Sequence, residues 1–424
     1  MIEDALAAEG AELALGSDFA DLLIVNSCAL TEIAEAKTRR AIKNFRRKNP
    51  GAKVCVTGCY AQTNPEALLD FGVDKIVSNA DKKCAARLAL GLFERPEKEL
   101  EPPGKTPLFT SFEAEVKALK KSDLSDSGFV GSFAISDRMN LKIQDGCDNA
   151  CAYCIIPRAR GLPRSRKISD IVNDAKNLVS RGAREIVLTG INISKFDGSI
   201  ADLIEELSQI KELLRIGIGS LEPPVRELER LAGLMACGES KLAKHFHVSL
   251  QSASDGVLKN MRRKYSVSEF FGMVDFIKSK DCDISVGTDV ICGFPGESDA
   301  DFEEGLRRLE SSGLSFLHVF TYSPRARTLA AEKAQIPFAI RRARADRLRL
   351  VGAELSRRFF ESQIGKTRSV LLENQLPSGD YLGYTENYLQ VAVNIAEAGL
   401  KNTLKRVVLE SLIGACRGRA RLAE

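Results

Sequence analysis

Strand-like and helical patterns alternate about six times after Met139, and this alternation constrains the fold more than any other feature of the chain. The predicted strands are Asn140–Gln144, Glu185–Thr189, Leu214–Ile218, His245–Leu250, Asp283–Ile291 and Phe316–Thr321. Successive βα units joined by short loops build parallel sheets, and six of them predict an incomplete (βα)6 barrel. In such a barrel the chemistry lies at the carboxyl ends of the strands.

The segments on either side of this barrel have different patterns. Residues 1–95 alternate helices with strands, which predicts a parallel α/β domain, although it opens in a helix (Asp4–Leu13) where a strand is usual. The strands predicted there are Leu22–Val25, Lys53–Thr57 and Val73–Val77. After Gly365, short alternating segments predict a small antiparallel β-barrel. The predicted strands of that barrel are Ser369–Glu373, Tyr381–Tyr384, Leu389–Ile395 and Lys405–Ser411. The chain is therefore divided into an amino-terminal domain (1–95), a turn-rich linker (96–136), a barrel core (137–360) and a terminal barrel (361–424).

Three cysteines, Cys147, Cys151 and Cys154, follow the first predicted barrel strand with the spacing C-x3-C-x2-C. Cysteine thiolates are the soft ligands that iron–sulfur clusters use. Three of them can bind three irons of a 4Fe-4S cluster and leave the fourth open, and an open position distinguishes catalytic metal sites from structural ones. The alternatives are a zinc site or three unrelated thiols. Zinc sites, however, usually pair C-x2-C with a second C-x2-C or H-x3-H, and no such partner follows here.

Composition narrows the class of protein. The chain has 424 residues and 11 cysteines, and its first ten residues lack the basic and apolar regions of a secretory signal. No apolar run approaches the roughly 18 residues of a membrane span, so no membrane partner is expected. The cysteines therefore indicate metal or redox chemistry in a cytoplasmic protein rather than a disulfide framework. A net charge of +4 is too small to indicate nucleic-acid binding by itself.

The cysteine run in a predicted partial barrel resembles the radical S-adenosylmethionine (SAM) superfamily, and further motifs resemble the methylthiotransferases within it. Those motifs are Pro157–Arg166, Ser249–Asp255, Val257–Tyr265, Gly287–Glu297 and His318–Arg325. The terminal module is similar to the TRAM domain, an RNA-binding β-barrel of that family. Leu188–Asn192 and Ala29–Arg40 are most similar to the branch that modifies N6-threonylcarbamoyladenosine beside the tRNA anticodon.

The resemblance implies that the three cysteines hold a 4Fe-4S cluster whose open iron binds the amino and carboxylate groups of SAM. One-electron transfer then gives methionine and a 5′-deoxyadenosyl radical, which requires an electron donor such as a flavodoxin or ferredoxin. Expected cofactor-binding residues are Thr189, Gly190, Glu222, Gln251, Ser252, Arg263 and Gly287. The glycines lie at or near predicted strand ends, where a missing side chain lets a cofactor approach, although turn glycines explain them equally well. Glu222 is nearly as well explained as an exposed loop carboxylate, and Ala253 stands where the family usually has glycine.

Methylthiolation also needs a sulfur donor, and the resemblance implies a second, auxiliary 4Fe-4S cluster held by three cysteines of the amino-terminal domain. Cys28 and Cys59 match two of them, each just after a predicted strand. The segment that carries the family's first cysteine is absent, so we expect an upstream in-frame extension that supplies a strand ending in Gly-Cys. Cys55 lies inside a strand and is predicted to be a buried packing thiol rather than the third ligand.

The remaining candidate ligands are weaker. Cys84, Cys237, Cys282 and Cys416 have no partner at ligand spacing, and Cys292 lies at a position that the family does not use as a ligand. His245 and His247 share one face of a strand, which suits either a metal or, preferably, a satisfied pair inside the barrel.

Basic residues flank the predicted active site, and RNA contacts are expected from Arg158, Arg160, Arg164 and Arg166. An arginine-rich helix (341–358) and Arg417, Arg419 and Arg421 add further charge, although each such run alone is more often a solvated surface. The leading hypothesis is methylthiolation at C2 of N6-threonylcarbamoyladenosine in tRNA, with two SAM molecules consumed. The alternatives are N6-isopentenyladenosine, a ribosomal-protein aspartate, or an RNA-binding iron–sulfur protein with impaired activity.

Overall fold

The structure is a computed structural model that describes residues 2–12, 14, 19–79, 81–93, 138–238, 240–414 and 417–423. The predicted linker, 96–136, lies outside the described residues. These residues group into two compact units. The first contains the described residues up to 93 together with Asp145–Arg164 and Ser323–Lys333, and the second contains 138–144, Ser165–Tyr322 and the described residues from Ala334 onward.

The first unit is built on a parallel sheet in the order β1-β2-β3. Its strands are β1 (Leu22–Ser27), β2 (Lys53–Gly58) and β3 (Lys75–Ile76). Its helices are α1 (Ile2–Ala8), α2 (Glu32–Lys48), α3 (Cys59–Thr63), α4 (Glu66–Leu69), α5 (Ala85–Leu90) and α6 (Ile156–Arg160), with short 3-10 helices at Lys82–Cys84 and Leu329–Glu332. The predicted strands and the helix after β1 are confirmed, and Thr31 caps α2 by accepting a hydrogen bond from Ala34 N.

The second unit contains six parallel strands, as predicted. They are β4 (Arg138–Lys142), β7 (Glu185–Thr189), β8 (Arg215–Ile218), β9 (His245–His247), β10 (Ser285–Cys292) and β11 (Phe316–Thr321). One sheet has the order β4-β7-β8 and the other β9-β10-β11, and single parallel bridges pair Ile216 with Leu242 and Leu221 with Val248. The incomplete barrel is therefore confirmed. The short strands β5 (Gln144–Asp145) and β6 (Arg164–Ser165) flank the cysteine run.

Helices follow the barrel strands and cover their outer faces. They are α7 (Ile168–Ser180), α8 (Ile200–Ser208), α9 (Leu228–Cys237), α10 (Asp255–Asn260), α11 (Val267–Lys280), α12 (Asp299–Glu310) and α13 (Phe338–Glu361), and a 3-10 helix spans Ile193–Lys195. Capping boxes at Ser266 and Ser298 start α11 and α12. No helix within the described ranges is long and apolar enough to cross a bilayer.

The terminal barrel closes from five strands in the order β12-β13-β14-β16-β15. They are β12 (Thr367–Gln375), β13 (Tyr381–Thr385), β14 (Gln390–Val393), β15 (Leu404–Ile413) and β16 (Arg417–Leu422). The barrel is confirmed, but sequence patterns missed β16, and the β14–β16 ladder is parallel rather than antiparallel. Phe360 of α13 enters the barrel core beside Gly418, where any Cβ would collide with its ring.

Candidate functional site

The loop that carries Cys147, Cys151 and Cys154 lies between β5 and α6 in the first unit. Gly146 turns the chain into this loop with φ of 74°, and a Cβ at this position would collide with the backbone of Leu162. Cys147 N then donates to Gly161 O at 3.0 Å, which ties the start of the loop to its end. Asn149 N lies 3.5 Å from Cys147 Sγ as a donor, the kind of contact that stabilises a metal-bound thiolate.

Cys28 and Cys59 follow β1 and β2 at the same carboxyl edge of the sheet, as the sequence predicts. Gly58 precedes Cys59 with φ of 98°, and a Cβ there would collide with the backbone of Ser27. The Ser27 hydroxyl donates to Thr57 O at 2.6 Å and accepts from Ala61 N at 3.1 Å, so it holds the two strand ends together. Leu30 N lies 3.5 Å from Cys28 Sγ as a donor.

Arg160 connects these two sets of cysteines. Its Nε donates to Cys59 Sγ at 3.1 Å, and its guanidinium lies 3.6 Å from Asp145 in the strand before the cysteine loop. Burial alone would lower the pKa of Arg160, but the thiols of Cys59 and Cys28 and the carboxylate of Asp145 raise it. Arg160 therefore places a positive charge beside the thiols of Cys59 and Cys28.

The cysteine loop and the sheet edge also share one apolar core. Cys59 and Cys147 pack in it, and Cys154 contacts it, together with Tyr60 and Ile156. The donor set of three thiols on one glycine-started loop fits a 4Fe-4S cluster, because soft sulfur ligands, nearby N–H donors and apolar surroundings are what such clusters require. At the sheet edge, Cys28 and Cys59 offer two further sulfur ligands, and Arg160 lies beside them.

The other cysteines belong to other segments of the chain. Cys55 is fully buried in a core with Val77 and Ala85 on the opposite face of the sheet, and burial raises its pKa to about 12. Its interpretation as a packing thiol is confirmed. Cys292 is also buried, and burial raises its pKa to about 12. Cys237 and Cys282 are exposed, Cys84 is half-buried, and Cys416 lies outside the described residues.

In the second unit, a polar network joins the carboxyl ends of the barrel strands. Arg263 lies 2.7 Å from Glu222 Oε1, and Asn192 donates to Glu222 Oε2 at 2.5 Å. Arg263 Nε also donates to the Tyr265 hydroxyl at 3.0 Å, and that hydroxyl donates to Ser249 O at 2.8 Å. Glu222 is therefore a positioned carboxylate, not a solvated one. Sequence reasoning did not single out Asn192 or Tyr265, although both lie within the motifs.

The predicted cofactor contacts differ in their local geometry. Gln251 adopts φ of 68°, which is uncommon for a residue other than glycine and marks a constrained loop. The next residue, Ser252, is buried and accepts a hydrogen bond from Ser254 N at 3.3 Å. Thr189 ends β7, and a Cβ on Gly190 would lie 3.0 Å from Gln144 Oε1. Gly287, predicted near a strand end, is the third residue of β10.

The space above the Gly287 Cα is filled by the ring of Phe316, with which any Cβ would collide. Packing of an aromatic ring therefore explains this glycine.

The arginines that were expected to contact RNA make contacts within the protein. Arg166 is buried and pairs with Asp174 at 2.7 Å, so its guanidinium is engaged within the protein. Arg160 and Arg164 each lie 3.6 Å from Asp145. Arg158 donates to the backbone carbonyl of Arg327 and remains half-buried.

Several arginines of the arginine-rich helix also pair with carboxylates. Arg344 pairs with Glu297 at 2.5 Å and Asp299 at 2.6 Å, Arg347 pairs with Glu303, and Arg357 pairs with Glu354 and Glu361 at 2.6 Å. In the terminal barrel Arg421 lies 3.5 Å from Glu410, and Arg419 is exposed. Much of the expected basic charge on α13 is thus engaged in ion pairs.

Both histidines lie inside the barrel, but the expectation of a satisfied pair holds for His245 and not for the Nε2 atom of His247. His245 is buried, its Nδ1 lies 2.7 Å from the Ser285 hydroxyl, and its ring stacks on Phe316 at 5.3 Å. Burial, with nearby positive charge, lowers the pKa of His245 to about 3. His247 has a different neighbour: its Nε2 lies 3.0 Å from Asp289 Oδ1.

Comparison with known proteins gives two family matches. Residues 141–309 match the Radical SAM superfamily, and residues 1–78 match the Uncharacterized protein family UPF0004. The threonylcarbamoyladenosine tRNA methylthiotransferase MtaB of Thermotoga maritima is 35% identical over 373 residues, which cover 87% of this chain and 81% of that protein. The protein of the same name from Bacillus subtilis is 32% identical, over 92% of this chain and 86% of its own length.

A relative with another name is about as similar. The tRNA-2-methylthio-N(6)-dimethylallyladenosine synthase of Endomicrobium trichonymphae is 33% identical over 91% of this chain and 88% of that protein. Among solved structures, the radical SAM methyltransferase TsrM from Kitasatospora setae aligns with a TM-score of 0.54 and 14% identity, covering 78% of this chain and 68% of that one. At that identity the likeness concerns the fold alone.

Proposed function

Since this chain belongs to the radical SAM methylthiotransferase family, and is therefore an enzyme that depends on a 4Fe-4S cluster and SAM, we propose that it methylthiolates C2 of N6-threonylcarbamoyladenosine in tRNA. The modified adenosine would lie next to the anticodon, and the enzyme would work in the cytoplasm, where tRNA is found. An electron donor of the flavodoxin or ferredoxin type and a sulfur donor would complete the system.

The observation that carries the proposal is that half-buried Arg160, in the helix that follows the first cysteine loop, lies against the cysteine of the second loop. Arg160 lies in the helix that follows Cys154 and donates a hydrogen bond to Cys59. The thiol of Cys28 also contributes to raising the pKa of Arg160. Methylthiolation needs a radical source and a sulfur source, and the proposal is supported by the packing of cysteines from both loops against a common core of the first unit. When bound, the cluster and SAM supply the radical chemistry.

The chain's own residues have definable tasks in this proposal. Cys147, Cys151 and Cys154 hold the catalytic cluster, and Cys28 and Cys59 hold the auxiliary one. The Asn192–Glu222–Arg263–Tyr265 network fixes the carboxyl ends of three barrel strands, which is where a parallel barrel binds its substrate. Thr189, Gly190, Gln251 and Ser252 line the same edge and are the proposed cofactor contacts.

A second candidate substrate is N6-isopentenyladenosine, because the dimethylallyladenosine synthase relative matches almost as well over as much of the chain. The two nucleosides differ in chemistry. The threonylcarbamoyl group carries a carboxylate and hydrogen-bonding groups, whereas the isopentenyl group is apolar.

The test is to express the chain in a bacterial host that lacks both methylthiolated adenosines, and to analyse its tRNA nucleosides by mass spectrometry. We expect the methylthio form of threonylcarbamoyladenosine from the wild type and none from Cys151→Ala. Cys282→Ala removes an exposed cysteine of the second unit and is the matched control.

Methylthiolated isopentenyladenosine alone would select the second candidate. Unchanged tRNA together with a methylthiolated ribosomal-protein aspartate would reject both. Unchanged tRNA from a protein with full iron and sulfide content would favour an iron–sulfur RNA-binding protein without this activity.

A further inference from the structure

All three histidines of the chain lie on the inner face of the partial barrel. His245 and His247 belong to β9 and His318 to β11, on either side of β10. In the parallel register His247 pairs with Gly287 and His318 with Asp289. Because side chains alternate along a strand, Asp289 shares the inward face with Gly287, so His247, Asp289 and His318 meet in one layer.

Two imidazoles converge there on one carboxylate oxygen. His247 Nε2 lies 3.0 Å from Asp289 Oδ1, and His318 Nδ1 lies 3.4 Å from the same oxygen. The three potential ligand atoms all lie within 4.8 Å of one another. Two nitrogens and an oxygen at this spacing form a 2-His-1-carboxylate set.

Hydrogen bonding does not explain the position of His247, the buried histidine of this set. His247 is 7% exposed, and its Nε2 has no hydrogen-bond partner among the described residues, although Asp289 Oδ1 lies 3.0 Å away. A buried polar atom without a partner is costly, so its position calls for an explanation. A metal ion supplies one: two ligand atoms, each about 2.1 Å from a metal, are separated by roughly 3.0–3.4 Å at ordinary coordination angles.

The surroundings suit a cation. Ser249 donates a hydrogen bond to the second oxygen of Asp289 at 3.1 Å, which orients the carboxylate as an outer-shell group does. The His318 side chain is 57% exposed, which leaves one side of the layer open.

We propose that His247, Asp289 and His318 bind one divalent first-row transition-metal ion inside the partial barrel. Three protein ligands leave further positions for water or for an oxygen ligand of a substrate. His245 takes no part, since its Nδ1 contacts Ser285 and its ring stacks on Phe316. The site uses none of the cysteines and does not depend on which nucleoside the enzyme modifies.

The test uses Zn²⁺ as the probe on the full chain after its iron–sulfur clusters have been assembled, so that the cluster cysteines are occupied. Protein is equilibrated with Zn²⁺, desalted, and analysed for zinc and iron by mass spectrometry. We expect the wild type to retain one more zinc per chain than His318→Ala. His247→Ala and Asp289→Asn should lose the same single equivalent.

His245→Asn is the matched control, because it removes a neighbouring histidine on the same face of β9 but no proposed ligand, and it should retain zinc as the wild type does. Equal iron content and equal circular dichroism establish that the variants fold. Since His318 is exposed, its variant decides the question even if His247→Ala does not fold. Equal zinc in the wild type and His318→Ala would overturn the proposal, and so would zinc loss in His245→Asn alone.

Discussion

The buried carboxylate of Glu185 joins the partial barrel to the terminal barrel within the second unit. Glu185 lies in β7 with a fully buried side chain, and Arg138 approaches its Oε1 at 3.1 Å while Arg215 lies 3.6 Å from its Oε2. Tyr388, between β13 and β14, donates its hydroxyl to Glu185 Oε1 at 2.7 Å. Burial and the neighbouring carboxylate raise the pKa of Tyr388, so it remains a donor.

We expect Glu185→Gln to destabilise this unit strongly, because it keeps the shape but removes the charge that two buried guanidinium groups share. Breaking a buried ion pair from one side costs about 3–5 kcal/mol. Glu373, 3.6 Å from Arg138, partly compensates, which places the cost near the lower bound, about 3 kcal/mol. Tyr388→Phe removes one hydrogen bond to a charged group and should cost about 1.5–3 kcal/mol.

Thermal unfolding of the full chain, followed by circular dichroism, measures both effects. At about 2–4 °C per kcal/mol, Glu185→Gln should lower the Tm of the affected transition by roughly 6–12 °C, and Tyr388→Phe by less. Glu212→Gln, at an exposed carboxylate, is the control. If Glu185→Gln and Glu212→Gln unfold at the same temperature, the account of a charge-dependent barrel contact is wrong.

Three further changes test the cysteine loops and a buried lysine. Gly146→Ala should abolish assembly of the catalytic cluster because its Cβ meets the Leu162 backbone, whereas Gly51→Ala, with open space around it, should leave iron and sulfide content unchanged. Cys59→Ser should lower iron content, whereas Cys55→Ser should not, because Cys55 packs on the opposite face of the sheet; equal losses would refute the assignment. Burial lowers the pKa of Lys278 from 10.5 to about 8, so the unfolded chain binds more protons between these values and stability rises with pH there. From pH 7 to 10 the wild type should gain about 2 kcal/mol in urea unfolding, and Lys278→Met should lack that gain.

The sequence predicted the parallel framework well because its signals are local. Glu185–Thr189 and Phe316–Thr321 were predicted with their observed bounds, since a buried strand between helices is a continuous apolar run with clear ends. The positions of Cys28, Cys59 and Cys147 after strands followed from the same alternation. The strand β16 was missed because its three arginines alternate with small or apolar residues and resemble a basic surface run.

The ion-pair partners of the arginines could not be predicted from local patterns, because they depend on which distant residues the fold brings together. Arg166 was expected to face RNA, yet Asp174 on the next helix neutralises it. Arg344 likewise meets Glu297 of a motif that lies far from it in the sequence. A run of arginines therefore predicts charge, but not whether that charge is free.

In both cysteine loops, a glycine with a positive φ stands directly before a ligand cysteine. Gly58 and Gly146 each precede a cysteine, each has a positive φ, and each touches backbone where a Cβ would not fit. In both cases the glycine lets the chain reverse tightly at the end of a strand, so the next thiol leaves the sheet edge with its backbone already fixed. A cluster ligand held on a flexible loop would have to be ordered by the metal itself, at a cost in conformational entropy. Residues that look like turn glycines in the sequence thus set the positions of the cysteines, and Arg160 then places a positive charge beside the thiols of Cys28 and Cys59 before any iron arrives.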